Sequence, residues 1–312
     1  MRIALTLRST LLMASLLLLA ACSSNQVLNS FSPESGTTMT SNVPYDRGNN
    51  LGLDIYSPYG ALGAPVVMFV HGGRWQHGSK EDFLYVGQAL ASRGYVAVVI
   101  DFRQYPDVRF PAFVEDAAHA VKWIRDNIGG YGGDGNRLFV MGHSSGAHIA
   151  ALLTLDPRYL KAVGGTPRGW LRGMIGLAGP YDFLPITDPS LRDMFGPPEN
   201  FRDSQPIAFV DGRNPPMLLM AGEDDRVVSV ANTRNLASAI AKARGPVETV
   251  IYPRMSHDLI LASLGPGLRS RNDVLDNIAN FIDHGAEVAQ RLQSEPTIKT
   301  QPLPPPLPLP TD

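Results

Sequence analysis

The sequence has a single cysteine, Cys22, among its 312 residues, and it has no excess of basic residues. One cysteine excludes an internal disulfide and argues against a metal site built on cysteine ligands. The 27 lysine and arginine residues stand against 29 aspartate and glutamate residues, which gives a formal net charge of -2. Because nucleic-acid binding needs a basic surface, no nucleic-acid partner is expected.

The sequence also lacks an apolar run long enough to cross a membrane. The N-terminal apolar run, residues 11–21, is about half as long as the roughly 20 residues that a transmembrane helix needs. Two arginines precede this run, and it leads into Leu-Ala-Ala-Cys at residues 19–22. A basic start, a short apolar stretch and small residues before a cleavage site are typical of a secretory signal. Residues 1–21 are therefore predicted to be a signal peptide.

Residues 19–22 resemble the lipobox of bacterial lipoproteins, in which the cysteine becomes the lipidated first residue of the mature protein. The resemblance implies that Cys22 is lipidated and anchors the protein stably, since two or more acyl chains hold a protein on a bilayer. A plain signal peptide cut nearby is the alternative. In lipoproteins an aspartate after the cysteine is associated with the inner membrane. Ser23 at this position favours the outer membrane, with the protein facing the periplasm.

Buried strands alternate with amphipathic helices between residues 43 and 290, the predicted globular domain. Strands are predicted at residues 51–56, 66–70, 95–100, 138–141, 174–177, 217–220 and 247–252, and helices at 80–93, 113–128, 147–155, 229–244 and 272–284. This alternation predicts an α/β fold with a mostly parallel central sheet and helices on both faces. Ligands bind such sheets beyond the carboxyl ends of the strands.

Three segments do not follow this alternation. Residues 22–42 are rich in Ser, Thr and Asn and are predicted to be a flexible tether. Residues 180–216 hold many prolines without a firm period, and we expect them to form a small cap over the pocket. Residues 291–312 are predicted to be a proline-rich tail, since their last part consists mainly of Pro and Leu.

The stretch 138–148 carries the strongest indication of chemistry. Its centre, Gly-His-Ser-Ser-Gly at residues 142–146, matches the G-x-S-x-G nucleophile elbow, a sharp strand-to-helix turn that exposes a serine hydroxyl. The two glycines are needed because the strand and the helix approach too closely there for a Cβ atom. A register with Ser145 as nucleophile would put histidine and alanine at the glycine positions. Ser144 is therefore the candidate nucleophile.

A serine hydroxyl needs a base to accept its proton, and the base needs a carboxylate to orient it. In this type of site the chain order is serine, acid, histidine. Asp225 follows the strand at 217–220, and His257 follows the strand at 247–252, so we assign them as acid and base. One of Asp224 and Asp225 is expected to be only an acidic residue at a helix N-terminus. The remaining histidines of the candidate domain have no comparable placement: His77, His119, His143, His148 and His284.

Acyl transfer also requires hydrogen-bond donors for the oxyanion. Gly72 and Gly73 follow a buried strand and can bring backbone N–H groups close, and the N–H of Ser145 lies at the start of the elbow helix. His71 is interpreted as a brace for this loop. The substrate pocket is assigned to Arg74, Trp75 and Tyr181, with a core position as the alternative for Trp75.

Together these motifs resemble α/β-hydrolases of the carboxylesterase kind. Within that fold, H-G-G-x-W at residues 71–75 is similar to the group that includes hormone-sensitive-lipase-like esterases, kynurenine formamidases and isoprenylcysteine methylesterases. The resemblance covers about residues 51–284. It implies that Ser144, Asp225 and His257 form a catalytic triad and that Gly72, Gly73 and Ser145 form the oxyanion hole. Arg74 stands where the H-G-G-G lipases have a third glycine, so a long-chain triglyceride is not expected as substrate.

The resemblance implies a membrane-anchored serine esterase that acts on small carboxylic esters through an acyl-serine intermediate, without metal or cofactor. The same machinery would cleave an aryl formamide, so an aryl formamidase is the nearest alternative. A catalytically silent binding module of the same fold is a further alternative, and a broken triad would indicate it. The acyl and alcohol preferences and the oligomeric state are not indicated by the sequence.

Overall fold

The computed structural model describes residues 24–32, 36–292 and 298–300. The predicted signal peptide, the lipidation site Cys22 and the proline-rich residues 301–312 lie outside the described residues. Within the described ranges, no helix combines the length and the apolar character that crossing a bilayer requires.

One sheet organises the described part of the chain. Its strands are β1 (Thr37–Asp46), β2 (Leu51–Pro58), β3 (Ala64–Val70), β4 (Val96–Ile100), β5 (Gly133–His143), β6 (Leu171–Leu177), β7 (Met217–Gly222), β8 (Val247–Tyr252) and β9 (Ile298–Thr300). The strand order across the sheet is β1-β2-β4-β3-β5-β6-β7-β8-β9. β1 pairs with β2, and β2 with β4, in antiparallel fashion, and the other neighbours are parallel. The predicted mostly parallel sheet is confirmed.

Helices cover both faces of this sheet. They are α1 (Ser24–Ser30), α2 (Leu84–Ala91), α3 (Ala112–Asn127), α4 (Ser145–Leu155), α5 (Pro157–Ala162), α6 (Pro167–Trp170), α7 (Pro189–Met194), α8 (Ala231–Lys242), α9 (His257–Ala262) and α10 (Val274–Leu292). Two hydrophobic cores result, because side chains alternate between the faces of each strand. In β3, Val66, Met68 and Val70 belong to the core with α3 and α4, whereas Val67 and Phe69 belong to the core with α2 and α10. The predicted α/β class is confirmed.

The prediction of a flexible tether over residues 22–42 is wrong for two parts of that segment. Residues 37–42 belong to β1, and residues 24–30 form α1. Most residues of β1 are exposed, because an edge strand pairs through its backbone and does not need apolar side chains. This polar composition is what made the strand resemble a linker. The folded domain therefore begins before the predicted boundary at residue 43.

The predicted cap, residues 180–216, contains α7 and two 3-10 helices, Pro198–Ser204 and Pro206–Phe209. Met194, Phe195 and Phe201 are buried in the core that includes α3 and α4. These contacts hold the segment against the body of the domain.

The C-terminal boundary also differs from the prediction. Helix α10 continues to Leu292, so the exposed His284 lies inside the helix and not at its end. Residues 298–300, within the predicted tail, form β9 and pair with β8.

Helix α2 packs on β2 at Gly87, where an added Cβ would lie 2.3 Å from Cδ2 of the fully buried Tyr56. We expect Gly87→Ala to lower the free energy of unfolding in urea by at least about 1 kcal/mol, because overpacking outweighs the gain in helix propensity. Gly130→Ala is the matched control, since nothing lies within 4 Å of its added Cβ. It should change stability by less than about 0.5 kcal/mol. Equal effects of the two substitutions would contradict the packing described for α2.

Candidate active site

Ser144 occupies a strained turn between β5 and α4. Its backbone angles are φ 53° and ψ -124°, a region that residues other than glycine rarely adopt. A Cβ at Gly142 would lie 2.3 Å from the carbonyl carbon of Gly146, and a Cβ at Gly146 would lie 2.0 Å from Val70 O. Both positions therefore require glycine, for the steric reason that the sequence motif suggests. The turn presents the Ser144 side chain at the carboxyl edge of the sheet.

Two loops that follow neighbouring strands bring His257 and Asp225 to Ser144. The distance from His257 Nε2 to Ser144 Oγ is 2.9 Å, and the distance from His257 Nδ1 to Asp225 Oδ2 is 2.7 Å. Because an ionised carboxylate only accepts hydrogen bonds, Nδ1 carries the imidazole proton and Nε2 accepts from the serine hydroxyl. The structure thus places the three residues in one hydrogen-bonded row. Asp224, the neighbouring candidate acid, has an exposed side chain.

The second oxygen of Asp225 is held by the backbone. Oδ1 accepts hydrogen bonds from the N–H groups of Val227, at 2.9 Å, and Val228, at 2.8 Å. Burial raises the pKa of Asp225, but the hydrogen bonds from His257 and the two amides together outweigh it and leave this pKa below its ordinary value. Asp225 therefore stays ionised at neutral pH, as a group that stabilises an imidazolium must.

The predicted oxyanion-hole residues lie beside Ser144. A Cβ at Gly72 would be 3.1 Å from Ser144 Cβ, so the loop that follows β3 packs against the nucleophile. Gly73 has φ +121°, and a Cβ there would lie 1.9 Å from His77 O. Ser145 is the first residue of α4, and N–H groups in the first turn of a helix have no acceptor within the helix. This arrangement leaves backbone donors next to the position that a substrate carbonyl would take.

Two histidines to which the sequence motifs assign no role support this site. His143 is buried, and its Nε2–H donates to the carbonyl oxygen of His257 over 2.9 Å. Burial, followed by the proximity of His257, lowers the pKa of His143 to about 3, so the ring is neutral. His143 thereby fixes the backbone of His257. Its position directly before the nucleophile is the only signal in the sequence that could have indicated this.

His148 links the H-G-G-x-W loop to the segment 180–216. Its Nδ1 accepts from Trp75 Nε1 at 3.2 Å, and its Nε2–H donates to Ser204 O at 2.7 Å. Burial lowers the pKa of His148 to about 4, so this ring is also neutral. The tie depends on a residue far along the chain, which no local pattern could reveal.

A small cavity of about 190 Å³ lies on one side of Ser144. Trp75 is 4% exposed, so it is a core residue that also lines this cavity. Arg74 stands at the rim, with Nη2 3.1 Å from Asp188 Oδ2. The remaining wall is largely apolar and comes in part from the segment 180–216: Pro180, Phe183 and Leu191.

The assignment of Tyr181 to the substrate pocket is wrong. Its side chain is fully buried and lines neither of the cavities at Ser144. The ring fills space that two glycines leave open: a Cβ at Gly176 would lie 2.1 Å from Tyr181 Oη, and one at Gly179 would lie 2.4 Å from Tyr181 Cζ. Asn232 lines the cavity instead, and its Oδ1 accepts from the backbone N–H of Tyr181 at 2.8 Å.

A larger groove of about 670 Å³ also reaches Ser144. His257 and Gly72 line it next to the nucleophile, and further residues come from α1 and α9. Arg74 and Val227 line both the groove and the small cavity, so they mark the border between the two spaces.

Comparison with known proteins places this site in a family. A family model described as BD-FAE matches residues 53–240, a range that includes Ser144 and Asp225 and ends before His257. Esterase LipC of Mycobacterium tuberculosis is 33% identical over 224 residues, which are 65% of this chain and 56% of LipC. The probable isoprenylcysteine alpha-carbonyl methylesterase ICMEL1 of Arabidopsis thaliana is 29% identical over 234 residues, which are 67% of this chain and 49% of that protein. The chain spans about half the length of these curated relatives.

Solved structures show the same fold. A thermophilic esterase from the planctomycete Thermogutta terrifontis, solved with propionate bound, superimposes with a TM-score of 0.66 and 24% identity. The match covers 81% of this chain and 96% of that one. The expected α/β-hydrolase fold is thereby confirmed.

The two neutral histidines predict how stability depends on pH. In the unfolded chain His143 and His148 take up protons near pH 6.5, whereas in the folded protein their pKa values lie at about 3 and about 4. The unfolded state therefore binds more protons below pH 6.5, and the free energy of unfolding should fall as the pH is lowered towards about 4. Each ring contributes up to about 1.4 kcal/mol per pH unit.

Urea unfolding between about pH 7 and about pH 5 measures this slope. His148→Gln retains a donor and an acceptor but removes one titrating ring, so its stability should depend less steeply on pH than that of the wild type. An unchanged slope would contradict the burial of His148 as a neutral ring.

Proposed function

The chain belongs to the BD-FAE family, and on that premise we propose that it is a serine hydrolase that cleaves small carboxylic esters. The observation that carries the proposal is the row of hydrogen bonds from Ser144 Oγ through His257 to Asp225, with distances of 2.9 and 2.7 Å. The names of the relatives, an esterase and a methylesterase, support an ester as the substrate.

In the proposed acylation step, Ser144 Oγ attacks the ester carbonyl carbon while His257 Nε2 takes the hydroxyl proton. The carbonyl oxygen becomes an oxyanion, which the N–H groups of Gly72, Gly73 and Ser145 stabilise. Asp225 stabilises the imidazolium that forms. When the tetrahedral intermediate collapses, the bond to the alcohol oxygen breaks and His257 gives its proton to that oxygen.

In the proposed deacylation step, water attacks the acyl-serine. His257 Nε2 takes a proton from the water as the new carbon–oxygen bond forms. The bond to Ser144 Oγ then breaks, His257 returns the proton to the serine, and the carboxylic acid leaves. The overall reaction consumes one water and yields one acid and one alcohol.

The small cavity indicates a short acyl group. Its volume of about 190 Å³ is close to the roughly 150 Å³ of an engineered apolar protein cavity that binds benzene. The wall contributed by Trp75, Phe183 and Leu191 suits an apolar chain of a few carbons. Arg74 and its partner Asp188 restrict the rim, in line with the exclusion of long-chain triglycerides expected from the sequence.

The role of Ser144 is tested by Ser144→Ala. We expect the variant to fold normally and its kcat for p-nitrophenyl acetate to fall by at least about 10⁴-fold, since alanine has no hydroxyl group to attack the ester. Ser92→Ala is the control, because the Ser92 hydroxyl donates to Ala89 O at the end of α2, and its activity should stay at the wild-type level. Substantial turnover by a folded Ser144→Ala protein would refute the proposed nucleophile.

The ester assignment is tested by comparing p-nitrophenyl acetate with N-formylkynurenine. The proposal expects the ester to be the better substrate. Negligible ester turnover together with hydrolysis of the formamide would show an aryl formamidase acting through the same residues.

We also propose that Cys22 is lipidated and holds the protein at the outer membrane, facing the periplasm. The sequence at residues 19–22 supports this proposal. Ser24, the first residue of α1, follows Cys22 by two positions, so at most about 7 Å of backbone would separate the anchored residue from the helix. Because α1 borders the large groove, the groove would then open close to the membrane surface.

Lipidation is tested by Cys22→Ser in a Gram-negative host. We expect the wild type to incorporate labelled palmitate and to sediment with membranes, and the variant to do neither, because it has no thiol to modify. Ser23→Ala is the control and should remain with the membranes. Retention of Cys22→Ser in the membrane fraction would count against the proposal.

A further inference from the structure

The position of His257, which gives a proton to the leaving alcohol, assigns the large groove to the alcohol part of the substrate. This assignment rests on the proposed ester hydrolysis. His257 must protonate the departing alcohol oxygen, so the alcohol leaves on the side of Ser144 where His257 lies. His257 lines the groove of about 670 Å³ and does not line the cavity of about 190 Å³. The acyl group therefore takes the small cavity and the alcohol takes the groove.

Helix α1 contributes part of the groove wall. Asn25 and Leu28, one turn apart on the helix, both line the groove. Across the described part of the chain, α1 is the element that reaches the site from furthest upstream, although its composition is that of a linker. The helix thus borders the space in which the alcohol would bind.

Specific contacts hold α1 in this place. The Asn29 side chain donates to Glu81 O at 2.9 Å and accepts from the N–H of Tyr85 at 3.0 Å. Leu28 packs against Gly265, where an added Cβ would lie 2.7 Å from Leu28 Cδ2. The missing side chain at position 265 therefore creates the room that Leu28 occupies.

The character of the wall indicates the kind of alcohol. Leu28 faces the groove together with apolar side chains from two other parts of the chain, Phe83 and Leu261. Two carboxylates, Asp82 and Asp258, also line the groove, and Arg74 at its border is paired with Asp188, so the wall disfavours an anionic alcohol by repulsion. The space exceeds what methanol or ethanol would fill.

We infer that α1 is a specificity-determining wall of the alcohol site and that the preferred substrates are esters of a short acid with a bulky, apolar, uncharged alcohol. Leu28 supplies the apolar contact, and Asn29 and Gly265 fix the helix that carries it. Part of the substrate preference is thus encoded in the first residues of the folded domain.

Two acetate esters of primary alcohols test the inference: ethyl acetate and 2-(2-naphthyl)ethyl acetate. The acyl group and the type of leaving oxygen are the same, so only the bulk of the alcohol differs. We expect Leu28→Ala to lower kcat/KM for the naphthyl ester about tenfold through a higher KM, because apolar binding contacts are lost. The kcat/KM for ethyl acetate should stay within about twofold of wild type, since a small alcohol does not reach the wall.

Val27→Ala is the matched control, because Val27 is 45% exposed on the same helix and does not line the groove. It should leave both esters unchanged. Gly265→Ala provides a second variant, since its new Cβ displaces Leu28, and it should reproduce the selective loss.

Equal losses for both esters in Leu28→Ala, or no loss for the naphthyl ester, would overturn the inference while leaving the proposed hydrolysis intact. A wild type that hydrolyses neither of these esters nor p-nitrophenyl acetate would overturn the proposed function and this inference with it, whereas one that hydrolyses p-nitrophenyl acetate alone would overturn only this inference. A wild type that prefers ethyl acetate would overturn the assignment of the groove to a bulky alcohol.

Discussion

The close approach of β3, β5 and α4 is the constraint on which the site depends. Because Gly142 and Gly146 have no side chain, the backbone of residue 142 can lie against that of residue 146, and residue 146 can lie against Val70 O. Every residue of α4 is buried, so the helix cannot shift to relieve the turn. The strain at Ser144 is therefore held by the core on both sides, and the hydroxyl keeps one position relative to the loops around it.

The parallel sheet turns this fixed point into a site. Parallel neighbours end at the same edge, so the loops after β5, β7 and β8 converge although their residues are far apart in the chain. Hydrogen bonds to the backbone then fix the two partners of Ser144. Two backbone amides donate to the Asp225 carboxylate, and the His143 ring donates to the carbonyl oxygen of His257. The three catalytic side chains are therefore positioned mainly by residues outside the triad.

The sequence predicts the parts of the molecule that depend on local pattern. Buried strands, amphipathic helices and the G-x-S-x-G turn each have a periodic or steric signature, so the α/β fold and the loops that carry Ser144, Asp225 and His257 could be located. Strand β1 has no such signature because an edge strand can be polar, and the buried position of Tyr181 has none because its ring folds back into space that the nearby Gly176 and Gly179 leave open. The ties of His143 and His148 join distant segments, and such contacts have no signature in a single sequence.

A covalent intermediate on Ser144 is the most direct test of the central claim. Acid quenching during turnover of an acetate ester, followed by mass spectrometry of the peptide spanning residues 138–158, locates any acetyl group. We expect acetylation of Ser144, with the group lost again as water completes the cycle. Continued turnover without any acylated peptide, or acetylation at another residue that keeps pace with turnover, would contradict it.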